Sequence, residues 1–163
     1  MPTEMGEYVV GAYLKLEECC DFVDYNVRPP GGGLAGLAEL DVVGLNFKSE
    51  TAYLCEVTTH IRGLLYGGNA ESVKRIESKY LRQRQYAEQY LANFAKHRFM
   101  FWSPVVPRGY LTENLGRLDG LELMINGRYR ECVDQLRARA RAEAQDTGNP
   151  FFRALQILAC LRD

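Results

Sequence analysis

Histidine occurs only twice in the 163 residues (His60 and His97) and tryptophan once (Trp102). Neither histidine lies in a recognisable nucleophile motif, which argues against a Ser, Cys or His nucleophile enzyme. No run reaches the roughly 20 apolar residues that a membrane span needs. The opening Met1-Pro2-Thr3-Glu4 lacks the basic and then apolar signature of a secretory signal, so a cytoplasmic location is expected. Five cysteines form an odd set, Cys19-Cys20 adjacent and Cys55, Cys132 and Cys160 apart. None shows a paired zinc spacing, and all are expected to be reduced, buried small hydrophobes. No internal repeat or low-complexity tract appears. The apolar 47% and charged 25% place the chain among globular proteins rather than disordered or fibrous ones, and its length allows one domain.

What is present is lopsided. Residues 1–60 hold three basic and ten acidic side chains, and the rest hold seventeen and eleven. Fifteen of the twenty basic residues are Arg, whose planar fork suits phosphate, so a polyanionic partner is one reading of the asymmetry and a merely solvated face the other. The whole-chain pI near 6.2 lies below the range of a dedicated nucleic-acid-binding domain.

Apolar side chains at Met5, Val9, Ala12, Leu16 and Cys19 step by three and four, predicting a helix over 4–20 opened by Thr3. Val10 and Leu14 add a second stripe and imply burial on two sides. Residues 22–28 lean towards strand, Pro29 to Gly33 break the chain, and residues 34–38 lead into a strand over 39–46. A second strand over 52–59 follows the polar stretch 47–51, which makes a hairpin. The longest helical signal covers 71–96, with Val73, Ile76, Tyr80, Ala87, Tyr90 and Phe94 on one stripe. Strands are expected over 98–106 and 121–125, a basic helix over 128–145, and a last helix opening at Asn149-Pro150. The order predicts an α/β sandwich with a mixed β-sheet flanked by helices.

The hairpin carries the chemistry. A turn centred between Lys48 and Ser49 makes paired residue numbers add to 97, so Asp41 faces Glu56 and Glu39 faces Thr58, all on one face. Two carboxylates then lie about 5 Å apart at Cβ. Like charges so placed need a cation, a shared proton, or an Arg or Lys between them. A hard divalent ion such as Mg²⁺ or Mn²⁺ is one such cation. On the long helix, Gln83 interrupts the apolar stripe, one turn after Lys79. It is either hydrogen-bonded in the core or reaching into a site.

Asp41, then Glu56-Val57-Thr58 fifteen residues later on the next strand, with Glu7 on the leading helix, resembles the PD-(D/E)XK nuclease superfamily. The likeness covers about residues 3–106, with 107–163 an added strand and helical segment of the same domain. It implies a restriction-endonuclease-like sandwich and Mg²⁺- or Mn²⁺-dependent hydrolysis of phosphodiesters. It also implies Asp41, Glu56 and Glu7 as metal ligands, and nucleic acid, DNA above RNA, as partner, with a homodimer open. The family's lysine, two positions after the second acid, is Thr58 here. Lys79 and Gln83 are the replacements that the long helix offers, and His60 and Arg62 lie just beyond the strand. The alternative is a nuclease fold without catalysis that binds nucleic acid or a protein.

The Pro-Gly stretch at 29–33 precedes a strand and lacks a following Lys-Ser or Lys-Thr, which excludes a P-loop. Arg128, Arg130, Arg137, Arg139 and Arg141 form either a phosphate-contact surface or a solvated face. Phe99, Phe101 and Trp102 are expected in the core.

Overall fold

The computed structural model describes residues 2–31, 39–63 and 67–162. In these the chain order is α1 (Met5–Leu16), β1 (Phe22–Val27), β2 (Leu40–Asn46), β3 (Thr51–Val57) and α2 (Asn69–Tyr90), then β4 (Lys96–Ser103), α3 (Tyr110–Leu115), β5 (Leu121–Ile125), α4 (Asn126–Ala142) and α5 (Pro150–Cys160). The strands form one open sheet in the order β1-β2-β3-β4-β5. The first three run antiparallel and the last three parallel, so β3 is the seam between the two halves. The architecture is α/β, with a five-stranded mixed sheet flanked by helices.

Helices cover both faces because β3 and β4 are apolar on both. On one face Val10 and Leu14 of α1 meet Val42, Cys55, Met100 and Trp102, and α4 adds Cys132. On the other, α2 brings Ala87 against Val43, Ala52 and Leu54, and Ile76 against Phe101, with Leu111 and Leu115 of α3 beside it. Each buried aliphatic or aromatic side chain contributes about 1.5–3 kcal/mol of transfer free energy. The two buried stripes of α1 match the sequence expectation, and so do Trp102 and Phe101, both fully buried.

Several boundaries differ from those expected. The first helix opens at Glu4, not Thr3, because the Glu7 carboxylate reaches back to the Glu4 N–H (2.9 Å) and satisfies an amide the helix leaves open. It ends at Leu16, after which Cys19 adopts a left-handed φ of 53°. The long helix runs from Asn69 to Tyr90 and stops short of Phe94. The expected strand over 98–106 shifts back to Lys96–Ser103, ending at Pro104. Residues 32–38 lie outside the described residues, and with them Gly32 and Gly33 of the Pro-Gly stretch and its lead into β2. Cys20, Cys55 and Cys132 are buried free thiols, whereas Cys19 and Cys160 are exposed, so burial holds for three of the five. The short helix α3 has no counterpart in the sequence reading. None of the described helices is long and apolar enough to cross a membrane.

Candidate active site

The hairpin fixes the site. Val42 pairs with Cys55, Val43 with Leu54, Gly44 with Tyr53, Leu45 with Ala52 and Asn46 with Thr51, so the register adding to 97 holds at every paired position. Asn46 closes the turn through its Oδ1, which accepts from Ser49 N (2.9 Å). Continued by one residue, this register sets Asp41 opposite Glu56, on the face that α2 covers. The ladder ends there because Asp41 Oδ2 accepts the Val57 N–H at 2.7 Å. Glu39 and Thr58 lie beyond it: the Thr58 N–H goes instead to Trp102 O of β4 (2.9 Å), and Glu39 pairs with Arg28 (3.4 Å). The expected facing of Glu39 and Thr58 is therefore replaced by these two contacts.

Helix α2 brings a cation to the carboxylates. Lys79 Nζ forms an ion pair with Glu56, whose side chain is almost wholly buried. Burial raises the Asp41 carboxyl above its ordinary value, while the Val57 amide and then the Lys79 charge oppose the shift. Burial likewise lowers the Lys79 ammonium, opposed by Asp41. Lys79 thus pairs directly with Glu56 and acts on Asp41 through its charge, which eases the repulsion of the two acids.

Glu7 joins from α1. A side chain at Gly6 would collide with Thr59, so glycine lets the start of α1 sit against the end of β3. Burial raises the Glu7 carboxyl, and Asp41 adds to the rise. Besides the Glu4 amide, Glu7 Oε2 accepts from Asn26 Nδ2 (3.5 Å). Asn26 interrupts β1 opposite Asp41 with a left-handed φ of 52°, a conformation Asn tolerates better than most residues. Glu4, Glu7, Asn26, Glu39, Asp41 and Val57 line one side of a cleft of about 310 Å³, and Arg75, Lys79 and Arg82 of α2 the other.

Gln83 is 1% exposed, and neither end of its amide has a hydrogen-bond partner among the described residues. The buried Thr58 hydroxyl is in the same state. Such groups normally find partners, and each costs about 1–3 kcal/mol when it does not. Among the described residues no group of three or more His, Cys, Asp or Glu side chains is gathered to hold a metal ion. The donor set formed by Asp41 and Glu56 is nevertheless all oxygen and suits Mg²⁺ or Mn²⁺ with water completing the shell.

Comparison of the chain with protein-family models, with curated proteins and with solved structures finds no match.

The remaining candidates lie elsewhere. His97 Nε2 contacts Leu91 O (2.8 Å) at the start of β4, at the other end of the sheet from Asp41. His60 and Arg62 are exposed just beyond β3. On α4, Arg139 is held by Glu17 (2.7 Å) and Glu143 (2.9 Å), Arg128 by Glu122 (3.6 Å) and Arg137 by Asp134 (3.2 Å). Sequence reasoning missed Glu4, Arg75 and Arg82 in the cleft. The spacing of Arg75, Lys79 and Arg82, by four and then three, was the available signal, since it puts all three on one helix face.

Proposed function

We propose that the chain is a metal-dependent phosphodiesterase acting on nucleic acid, with the restriction-endonuclease-like fold that the sequence resembles. The observation that carries this reading is the ion pair of Lys79 with Glu56 beside Asp41. It brings an ammonium group onto Glu56 and within electrostatic reach of Asp41, where the strand itself offers only Thr58. Asp41 and Glu56 would hold Mg²⁺ or Mn²⁺, with Glu7 adjoining. An ion there would supply Lewis acidity towards a phosphoryl oxygen and a more acidic water.

The chain's own groups do the rest. Lys79 contributes a fixed positive charge in a largely dry setting, where it stabilises charge developing on the phosphoryl oxygens more strongly than in bulk water. The Val57 amide fixes the Asp41 carboxylate, so its free oxygen meets a ligand without reorganising. Gln83, one turn from Lys79, carries an amide able to orient a water or a phosphate oxygen. Arg75 and Arg82 flank Lys79 on the α2 wall of the cleft, across from Glu4, Glu7, Glu39 and Asp41.

The test is cleavage of labelled single- and double-stranded DNA and RNA, with Mg²⁺ or Mn²⁺, by the wild type, Asp41→Asn and Lys79→Met. Ion-dependent cutting by the wild type is expected, falling by about 10²-fold or more in each variant. Equal cutting by the wild type and Asp41→Asn overturns the assignment. A second reading draws on the same contact: Lys79 already neutralises Glu56, so the protein would bind nucleic acid without cutting it. Tight binding with no cleavage under any ion would decide for that reading.

A further inference from the structure

A second cleft, of about 710 Å³, lies between the segment after β4 and helix α4. Its floor is apolar, from Val105, Val106, Tyr129 and Val133, and Arg108, Arg130 and Arg137 stand along it. We propose that this cleft carries the phosphate backbone of the nucleic acid whose cleavage is assigned above, flanking the Asp41–Glu56 site. The inference rests on that reading for the identity of the partner.

Four observations support it. First, the residues of both clefts come from the same end of the sheet, where β3, β4 and β5 all end, with α2 and α4 on its opposite faces. Adjacent strands are spaced by about 4.8 Å, so the end of β5 lies on the order of 10 Å from that of β3. The chain leaving β3 bridges the gap: a Cβ at Gly63 would sit 3.5 Å from the Pro107 ring, next to Arg108.

Second, Arg130 and Arg137 are seven residues apart on α4, about 10.5 Å along its axis at 1.5 Å per residue. Successive phosphates of a strand advance by about 3.4 Å along a duplex, so this separation suits a run of phosphates rather than a single one.

Third, the first turn of α4 carries no acidic residue and includes Arg128, with Arg130 close behind. Cations there oppose the helix dipole, a local cost of some tenths of a kcal/mol each that an external anion would offset. Arg128 meets Glu122, but Arg108 and Arg130 have no ion-pair partner among the described residues. Asp134, the one acid in the cleft, makes only an exposed contact with Arg137, and such a pair exchanges readily.

Fourth, the cleft's aromatic ring is not free to stack on a base. Tyr129 is packed edge-on against Trp102, with ring centroids 6.0 Å apart and planes at 76°. That favours a backbone over a mononucleotide.

The experiment measures binding of a short fluorescent DNA duplex in chelator, so that nothing is cut, across a range of salt. The Arg108→Gln/Arg130→Gln/Arg137→Gln variant is compared with the wild type and with Arg117→Gln, an exposed control on the α3–β5 connection. Loss of three phosphate contacts should lower the slope of log affinity against log salt by about 2–3, since each contributes roughly 0.9. The control should leave the slope unchanged, and thermal midpoints should match throughout. An unchanged slope in the triple variant, or an equal fall in the control, overturns the inference. So does a site that takes inorganic phosphate in an Arg-dependent way but no duplex. If the slope falls as expected and the wild type cuts nothing under any ion, this cleft stands and the nuclease reading fails; cleavage with an unchanged slope gives the reverse.

Discussion

Lys79, at the middle of α2, reaches down to Glu56 near the end of β3, and the pair is largely withdrawn from solvent: the side chains are 22% and 6% exposed. The contact ties the helix to the seam of the sheet, where antiparallel pairing gives way to parallel, and sets a cation against two acids that would otherwise repel. Removing one member of such a pair leaves the other as an uncompensated buried charge, which costs more than the pair itself contributes.

Lys79→Met should therefore destabilise the protein by about 2–3 kcal/mol, the low end for buried pairs because the lysine is partly wet. Glu56→Gln in the same chain should recover most of that loss. Urea denaturation of the two single variants and the double variant measures the coupling. Strictly additive losses would mean that the two groups do not interact.

Asp41 gives a pH dependence of fixed sign. Burial raises its folded pKa above the ordinary 3.8, so the folded state binds the proton more tightly than the unfolded chain. The associated stability is full below 3.8 and is lost as pH rises through the folded value. Asp41→Asn, which can still accept the Val57 N–H, should gain on the wild type progressively from pH 4 to pH 7. Unfolding free energies of both proteins at the two pH values decide it. A difference that is flat, or that shrinks with pH, contradicts the assigned burial cost.

Gln83 separates a structural role from a functional one. Its amide is buried with no partner among the described residues, so Gln83→Met, close in volume, should raise stability by about 1–2 kcal/mol. If the amide serves the site, cleavage falls in the same variant. A variant both less stable and equally active would mean that the amide only packs.

How far the sequence led depends on which force set each feature. The hairpin register follows from local turn chemistry and from alternation, and both survive translation from sequence to structure, so the pairing from Asn46–Thr51 to Val42–Cys55, which leads to Asp41 and Glu56, was readable. The apolar stripe of α2 was readable for the same reason, and with it the inward position of Gln83. The partner of Glu56 was not determined, because a lysine on a helix face can reach a carboxylate or solvent and only the docking of α2 chooses. Asn26 illustrates another limit: its left-handed backbone answers to Asp41 and Glu7, which come from distant parts of the chain. Glu7 was expected as a ligand, yet it also closes the first turn of α1. The α3 helix follows Gly109 and gains its stability from Leu111 and Leu115 packing under α2, a tertiary effect with little local signal.

The most direct measurement of the central claim is calorimetric titration of Mn²⁺ into the wild type and into Asp41→Asn, with thermal midpoints followed in parallel. If the opposed acids hold an ion, the wild type shows binding and a midpoint that climbs with ion concentration, by about 1.4 kcal/mol of added stability per tenfold excess over the dissociation constant, and Asp41→Asn shows neither. Identical heats and midpoints in the two proteins, or none in the wild type, would contradict it.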